Sequence, residues 1–161
     1  MLTRPLVAVS LGGLLGWERE SSNKPAGLRT MMMVGLGSAG FTAVVFWMYR
    51  TVDPGQGVDP TRVVQGVVGG IGFLGAGAII QARGSVQGIT TAATIWVVGA
   101  IGVACGVGQY VIAGGVTAYA FVILWAIGAL EYRLYGQGHT AEQTNRPDAP
   151  PDRHGDDADQ S

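Results

Sequence analysis

Residues 84 to 130, GSVQGITTAATIWVVGAIGVACGVGQYVIAGGVTAYAFVILWAIGAL, are 47 consecutive uncharged residues. A bilayer core takes about 20 apolar residues per helix, so this run holds two spans joined by a tight connection. The connection falls at Gly106-Val107-Gly108-Gln109. Outward from this run, the sparse charges mark further spans. Thr30 to Tyr49 gives 20 uncharged residues between Arg29 and Arg50, and Val63 to Ala82 gives 20 between Arg62 and Arg83. Each matches one transmembrane helix. The first run, Pro5 to Trp17, has 13 residues. At 1.5 Å per residue it covers only about 20 Å of a core roughly 30 Å thick. Either Arg4 snorkels outward and Met1 to Trp17 serve as a short span, or the chain starts upstream, and the second reading is preferred. No small-residue cleavage site follows Leu15, so this segment reads as an anchor and not as a cleaved signal peptide.

The composition agrees. Of 161 residues 13% are charged, 48% are hydrophobic and 27 are glycine, against roughly a quarter charged in soluble domains. Eight of the 21 charges lie in the last 25 residues, which leaves 13 for residues 1 to 136. A membrane β-barrel is excluded, because the runs lack the apolar-polar alternation of lipid-facing strands. The expected fold is therefore an all-α membrane protein of five transmembrane helices, near residues 2–17, 30–49, 62–81, 88–106 and 110–130. Residues 1–135 form the membrane domain. Residues 136–161, rich in Pro, Asp, Gln and Gly with six acids against two arginines, are expected to be a disordered polar tail. Its His139 and His154 do not make a metal site, and Cys105, the single cysteine, is read as a packing residue.

Lys and Arg counts set the orientation. With the N-terminus outside, the inner segments hold Arg19, Lys24, Arg29, Arg83 and Arg133, and the outer ones Arg4, Arg50 and Arg62. The positive-inside rule thus favours N-out, C-in. Trp17 and Tyr132 or Tyr135 at one interface, and Trp47, Tyr49 and Tyr110 at the other, fit aromatic belts.

Gly70-Ile71-Gly72-Phe73-Leu74-Gly75 matches the dinucleotide fingerprint letter for letter. That fingerprint needs an acid about 20 residues on, whereas the first acid after Gly75 is Glu131. In lipid, the pairs Gly12/Gly16, Gly66/Gly70 and Gly102/Gly106 read instead as small-xxx-small contacts. The third span carries Gly66, Gly69, Gly70, Gly72, Gly75 and Gly77 around its circumference. It is expected to be a crowded central helix; the competing reading is a broken helix lining a site. Thr90 and Thr94 share a face of the fourth span and can bond to a neighbouring helix, while Thr90 alone can cap its own.

Between the first two spans lies WERESSNKPAGLRT, residues 17 to 30, with charges of both signs: Glu18, Arg19, Glu20, Lys24 and Arg29. One reading is a helix end with a Glu20 to Lys24 pair and Arg29 anchoring the next span. The other is a network of half-buried ion pairs that forms a functional surface. On the outside, Asp59-Pro60-Thr61-Arg62 reads as a helix start with Asp59 as N-cap. Asp53 and Asp59 are the outer carboxylates, and Asp59 is the candidate metal ligand.

The runs Gly16 to Glu20, Lys24 to Thr30, Asp59 to Arg62, Gly70 to Gly77 and Gly88 to Trp96, in this order, resemble the MgtC/SapB family of bacterial inner-membrane proteins. The resemblance covers about residues 6 to 130. It implies a five-helix inner-membrane domain linked to magnesium homeostasis and, in pathogens, to virulence. Family members are thought to act as regulators, in some cases on an ATP synthase. The resemblance places the charged motif on Glu18, Arg19, Glu20, Lys24 and Arg29, the outer acid on Asp59 beside Arg62, and the threonine-tryptophan segment on Thr90, Thr91, Thr94 and Trp96. This chain departs from common family residues at Met31, Gln87, Thr90 and Val97. It looks like the short, SapB-like form without a soluble C-terminal domain.

An enzyme is not expected, since residues 1 to 136 show no nucleophile with a base partner and no paired carboxylates at membrane depth. No cofactor is expected. A Mg²⁺ carrier would want oxygen ligands along a path, yet the carboxylates stand at helix ends. The favoured function is a non-enzymatic regulator tied to Mg²⁺ homeostasis, with an ion transporter or channel component as the alternative. The expected partners are the lipid bilayer and a membrane protein, an ATP synthase or a transporter by resemblance, or a second copy in a homo-oligomer; nucleic acid is not among them.

Overall fold

A computed structural model describes residues 2–51, 59–82 and 85–135, and the side chains of these except at 80–85 and 130–135. Its elements are α1 (Thr3–Ser21), α2 (Leu28–Thr51), α3 (Pro60–Ala78), β1 (Ile80–Ala82), β2 (Ser85–Gln87), α4 (Ile89–Val107) and α5 (Tyr110–Tyr135). The all-α reading holds for the bulk of the chain. Three helical stretches, Leu28–Thr51, Ile89–Val107 and Tyr110–Ala129, are long and apolar enough to cross a membrane. The chain divides into two units, Met1–Ile127 and Gly128–Ser161. Of the second, the end of α5 through Tyr135 is described; the expected tail, 136–161, lies outside the described residues.

Three boundaries differ from expectation, and one of them is the end of α5, which runs on to Tyr135 and not to about 130. The first helix does not stop at Trp17 but continues through the charged run to Ser21, giving 19 residues and about 28 Å of length. The shortness of the apolar run is thus made up by polar residues at the helix end. The third helix ends at Ala78 and not near residue 81, because Ile79 turns to an extended backbone (φ −89°, ψ 117°). The chain then forms an antiparallel hairpin pairing Ile80 with Gln87, Gln81 with Val86 and Ala82 with Ser85. Gly88 closes it in the left-handed region at φ 88°. Its α-carbon packs against the carbonyl of Ala78, where any side chain would collide, so both its dihedral and its position ask for glycine.

The core is made by α1, α2 and α4, whose glycines let backbones meet. A methyl group at Gly12 would lie 2.8 Å from the Met31 carbonyl oxygen, and one at Gly16 would lie 2.7 Å from Leu28 Cα. These contacts run α1 antiparallel to α2. On the other side of α2, Gly102 meets Gly35 and Ser38, and Gly106 meets Ala39 and Thr42, so α2 and α4 run parallel. Leu15, Met31, Val98, Ile101 and Cys105 fill the space between, and the packing reading of Cys105 holds. The buried hydroxyls of Thr42, Thr94 and Thr117 each donate to the carbonyl four residues back. That satisfies them without a partner helix.

α3 packs differently. Its buried residues are Ile71 and Gly75; Ile71 fills the recess at Gly99, and Gly75 rests on Ala92 of α4. α3 is one continuous helix, which removes the broken-helix reading. The crowded-helix reading also fails for most of it. No atom lies within 4 Å of a methyl group placed at Gly66, Gly69, Gly70, Gly72 or Gly77, so among the described residues only Gly75 of the six is used for close approach.

Candidate functional site

One end of the helical core brings together the end of α1, the start of α2 and the start of α4. The buried face of α1 runs Ala8, Gly12, Leu15, Gly16 and then Arg19. Helical periodicity therefore carries a cation into the position of a core residue. Arg19 is 4% exposed. Its Nη2 donates to Thr91 Oγ1 at 3.1 Å, linking α1 to the first turn of α4. Its Nε is buried and has no hydrogen-bond partner among the described residues. A buried guanidinium with an unused donor is costly, because desolvation removes water bonds that nothing replaces.

The neighbouring acids have separate duties. Glu20 reaches across the turn, where its Oε2 accepts the Leu28 N–H at 2.8 Å and satisfies the start of α2. The turn is folded tightly enough to allow this. Lys24 N–H donates to the Arg19 carbonyl at 2.9 Å, and Asn23 and Ala26 take positive φ values of 53° and 57°. Glu18 Oε1 accepts from the Ser22 hydroxyl at 3.0 Å, while its Oε2 is buried without a partner. Lys24 and Arg29 are exposed. The expected Glu20 to Lys24 pair is thus replaced by a bond from the Leu28 amide to Glu20, and among the described residues Glu18, Arg19 and Glu20 each take a different partner.

At the start of α4 the N-cap is Gly88, with no side-chain cap bond. Thr90 is therefore not the cap and points to the exposed side. Thr94 donates at 2.7 Å to the Thr90 carbonyl within its own helix, not to a neighbour as expected. Thr91 is the threonine that crosses helices. Trp96 is about half exposed and lines a groove of about 240 Å³ between α3 and α4, with Val67, Gly99 and Ala100.

The opposite end holds Asp59 and Arg4. Asp59 is the N-cap of α3, with Pro60 at the helix start, as expected. Its Oδ1 accepts from the Thr61 hydroxyl at 2.7 Å and from the Thr61 N–H at 2.9 Å. These two bonds, the hydroxyl first, with Arg62 adding its charge, hold the carboxyl below its ordinary range. Asp53 lies outside the described residues. Among the described residues no three His, Cys, Asp or Glu side chains gather as a metal site. Arg4, for which outward snorkelling is one of the two readings of the first span, donates from Nη1 to the Gly106 carbonyl at 2.7 Å. A cation there complements the C-terminal end of the α4 dipole.

A second groove, of about 890 Å³, runs between α2 and α3. Met33, Gly37, Phe41, Val67 and Gly70 line it, with Arg29 at the start of α2 and Arg62 at the start of α3. Since α3 runs antiparallel to α4, and α4 parallel to α2, these two cations stand at opposite ends.

A sequence profile described as the MgtC family matches residues 6–133. The chain is 35% identical over 145 residues to the Escherichia coli K12 protein named "Putative magnesium transporter YhiD", covering 89% of this chain and 67% of that one. It is 45% identical over 123 residues to Protein MgtC of Brucella abortus strain 2308, covering 76% of this chain and 48% of that one. For Protein MgtC of Salmonella typhimurium strain 14028s the figures are 43% over 105 residues, 65% and 42%. The chain thus spans two thirds of YhiD and less than half of these MgtC proteins. No solved structure matches it. With a profile match running through all five helices and relatives at this identity, the chain belongs to the MgtC family.

Proposed function

We propose that this chain is a five-span inner-membrane protein, N-out and C-in, that regulates magnesium homeostasis through helix-helix contacts with a membrane partner and without enzymatic chemistry. The observation that carries this reading is the split between used and unused glycines. Gly12, Gly16, Gly35, Gly102 and Gly106 are filled against neighbours, whereas Gly66, Gly70, Gly72 and Gly77 of α3 are bare. Bare glycines on an apolar helix beside a groove of about 890 Å³ suit close approach by another transmembrane helix, where backbone packing takes the place of the hydrophobic effect. The magnesium link is supported by what the name of YhiD says of that protein.

A second reading, a carrier for Mg²⁺, is favoured by the name of YhiD. Reconstitution separates the two. Liposomes containing the pure chain and a Mg²⁺-sensitive dye are expected to pass no more Mg²⁺ than empty ones, and crosslinking in native membranes to trap a discrete partner through α3. Mg²⁺ flux that Asp59→Asn abolishes would establish the carrier.

A further inference from the structure

We infer that the junction of Arg19 with the first turn of α4 is a binding site for a phosphate-type oxyanion, either a free phosphate or the phosphate of a lipid headgroup. Two independent features point there. The first is the helix start itself. α4 is 19 residues long and begins at Gly88, which has no side chain to cap it, so among the described residues no side chain competes with an anion for the amides of its first turn and the positive end of its dipole. The second is Arg19, 96% buried by its 4% exposure. It is bonded by Nη2 to Thr91, the third residue of that same turn, and it leaves Nε buried and unpartnered.

A guanidinium carries five N–H donors in a planar fork that matches the edge of a phosphate. Arg19 spends one on Thr91, and the bond fixes the fork against the helix start. The other charged groups at this end restrict the ligand further. Glu20 is bonded to the Leu28 amide, and Lys24 and Arg29 are exposed, so they add positive charge at the approach. Glu18 keeps one oxygen on Ser22 and leaves Oε2 buried without a donor. The site is independent of whether the protein regulates or carries magnesium.

The test uses the full chain, purified in an uncharged detergent, with its melting temperature followed against inorganic phosphate, sulfate and chloride at matched ionic strength. Phosphate is expected to raise the midpoint saturably, by about 5 °C at roughly a hundredfold excess over its dissociation constant, with chloride, which offers no pair of oxygens to the fork, doing less. Arg19→Lys, which keeps the charge and loses the fork, and Thr91→Val, which keeps the shape and loses the bond, are each expected to remove the rise. Native mass spectrometry separates the two sources. Retention of phosphatidylglycerol by the unaltered chain and its loss in Thr91→Val assigns a headgroup; a phosphate response without retained lipid assigns a free oxyanion. Equal responses to phosphate, sulfate and chloride together with no retained lipid overturn the site, and they do so on the unaltered chain even where a variant does not fold. A phosphate rise that persists in folded Arg19→Lys and Thr91→Val overturns it as well.

Discussion

Gly102→Ala and Gly70→Ala are the same chemical change in two helical glycines, and the packing predicts opposite signs for them. A methyl at Gly102 would lie 2.6 Å from Ser38 Cβ and 2.7 Å from the Gly35 carbonyl oxygen, where ordinary contact begins at 3.4 Å. Relief asks α2 and α4 to separate by about 0.8 Å, and the obstructing atoms are backbone or Cβ atoms that cannot rotate away. Overpacking of this kind costs about 1–3 kcal/mol, with this geometry at the upper end. Replacing glycine by alanine in a helix returns about 1 kcal/mol. Gly102→Ala is therefore expected to lose about 1–2 kcal/mol. At Gly70 nothing stands within 4 Å, so only the propensity gain remains, about 0.5–1 kcal/mol of stabilisation. The difference between the two variants, roughly 1.5–3 kcal/mol, is measurable by reversible denaturant titration in mixed micelles with helicity as readout. Gly102→Ala proving as stable as Gly70→Ala would refute the assignment of α2 and α4 as the close-packed pair.

Glu20→Ala is expected to cost about 1 kcal/mol by leaving the Leu28 amide unsatisfied, while Lys24→Ala stays near neutral; equal losses in the same titration would return Glu20 to an ion pair with Lys24. The Asp59 cap has a defined pH window. Because its folded pKa is lowered from 3.8, the cap contributes fully above that value and is lost as pH falls through the lower folded one. The Thr61 amide resonance is expected to titrate with a midpoint below 3.8, and a midpoint at or above it would remove the hydroxyl and amide bonds as the cause.

The charge pattern made the helices legible and hid what they do at their ends. Arg29, Arg50 and Arg62 sit within three residues of a helix terminus, because a bilayer forces charges to the ends of spans. The hairpin was invisible for the same reason. Ile79 and Ile80 extend the apolar run past the point where the helix stops, and hydropathy does not report a change of dihedral angle. Within the charged cluster, composition could not sort Glu18, Arg19 and Glu20, since consecutive residues point about 100° apart and only helix phase tells which one is buried. The signal was nevertheless present: Leu15 and Gly16 stand four and three residues before Arg19, on the face that α1 buries. For α3 the sequence showed small residues but not their neighbours. The occupied glycines of α4 and the bare ones of α3 look alike until the surrounding helices are placed.

The two arginine bonds of α1 make it a ruler for α4. Arg4 holds Gly106 and Arg19 holds Thr91, and both pairs of positions are separated by fifteen residues, about 22 Å along either axis. Both bonds close only while the two helices keep equal counts between their marks. One residue inserted in either helix displaces a mark by about 1.5 Å and turns it by about 100°, so that one arginine or the other loses its partner. The length of the N-terminal helix is in this way tied to that of a helix encoded some ninety residues later.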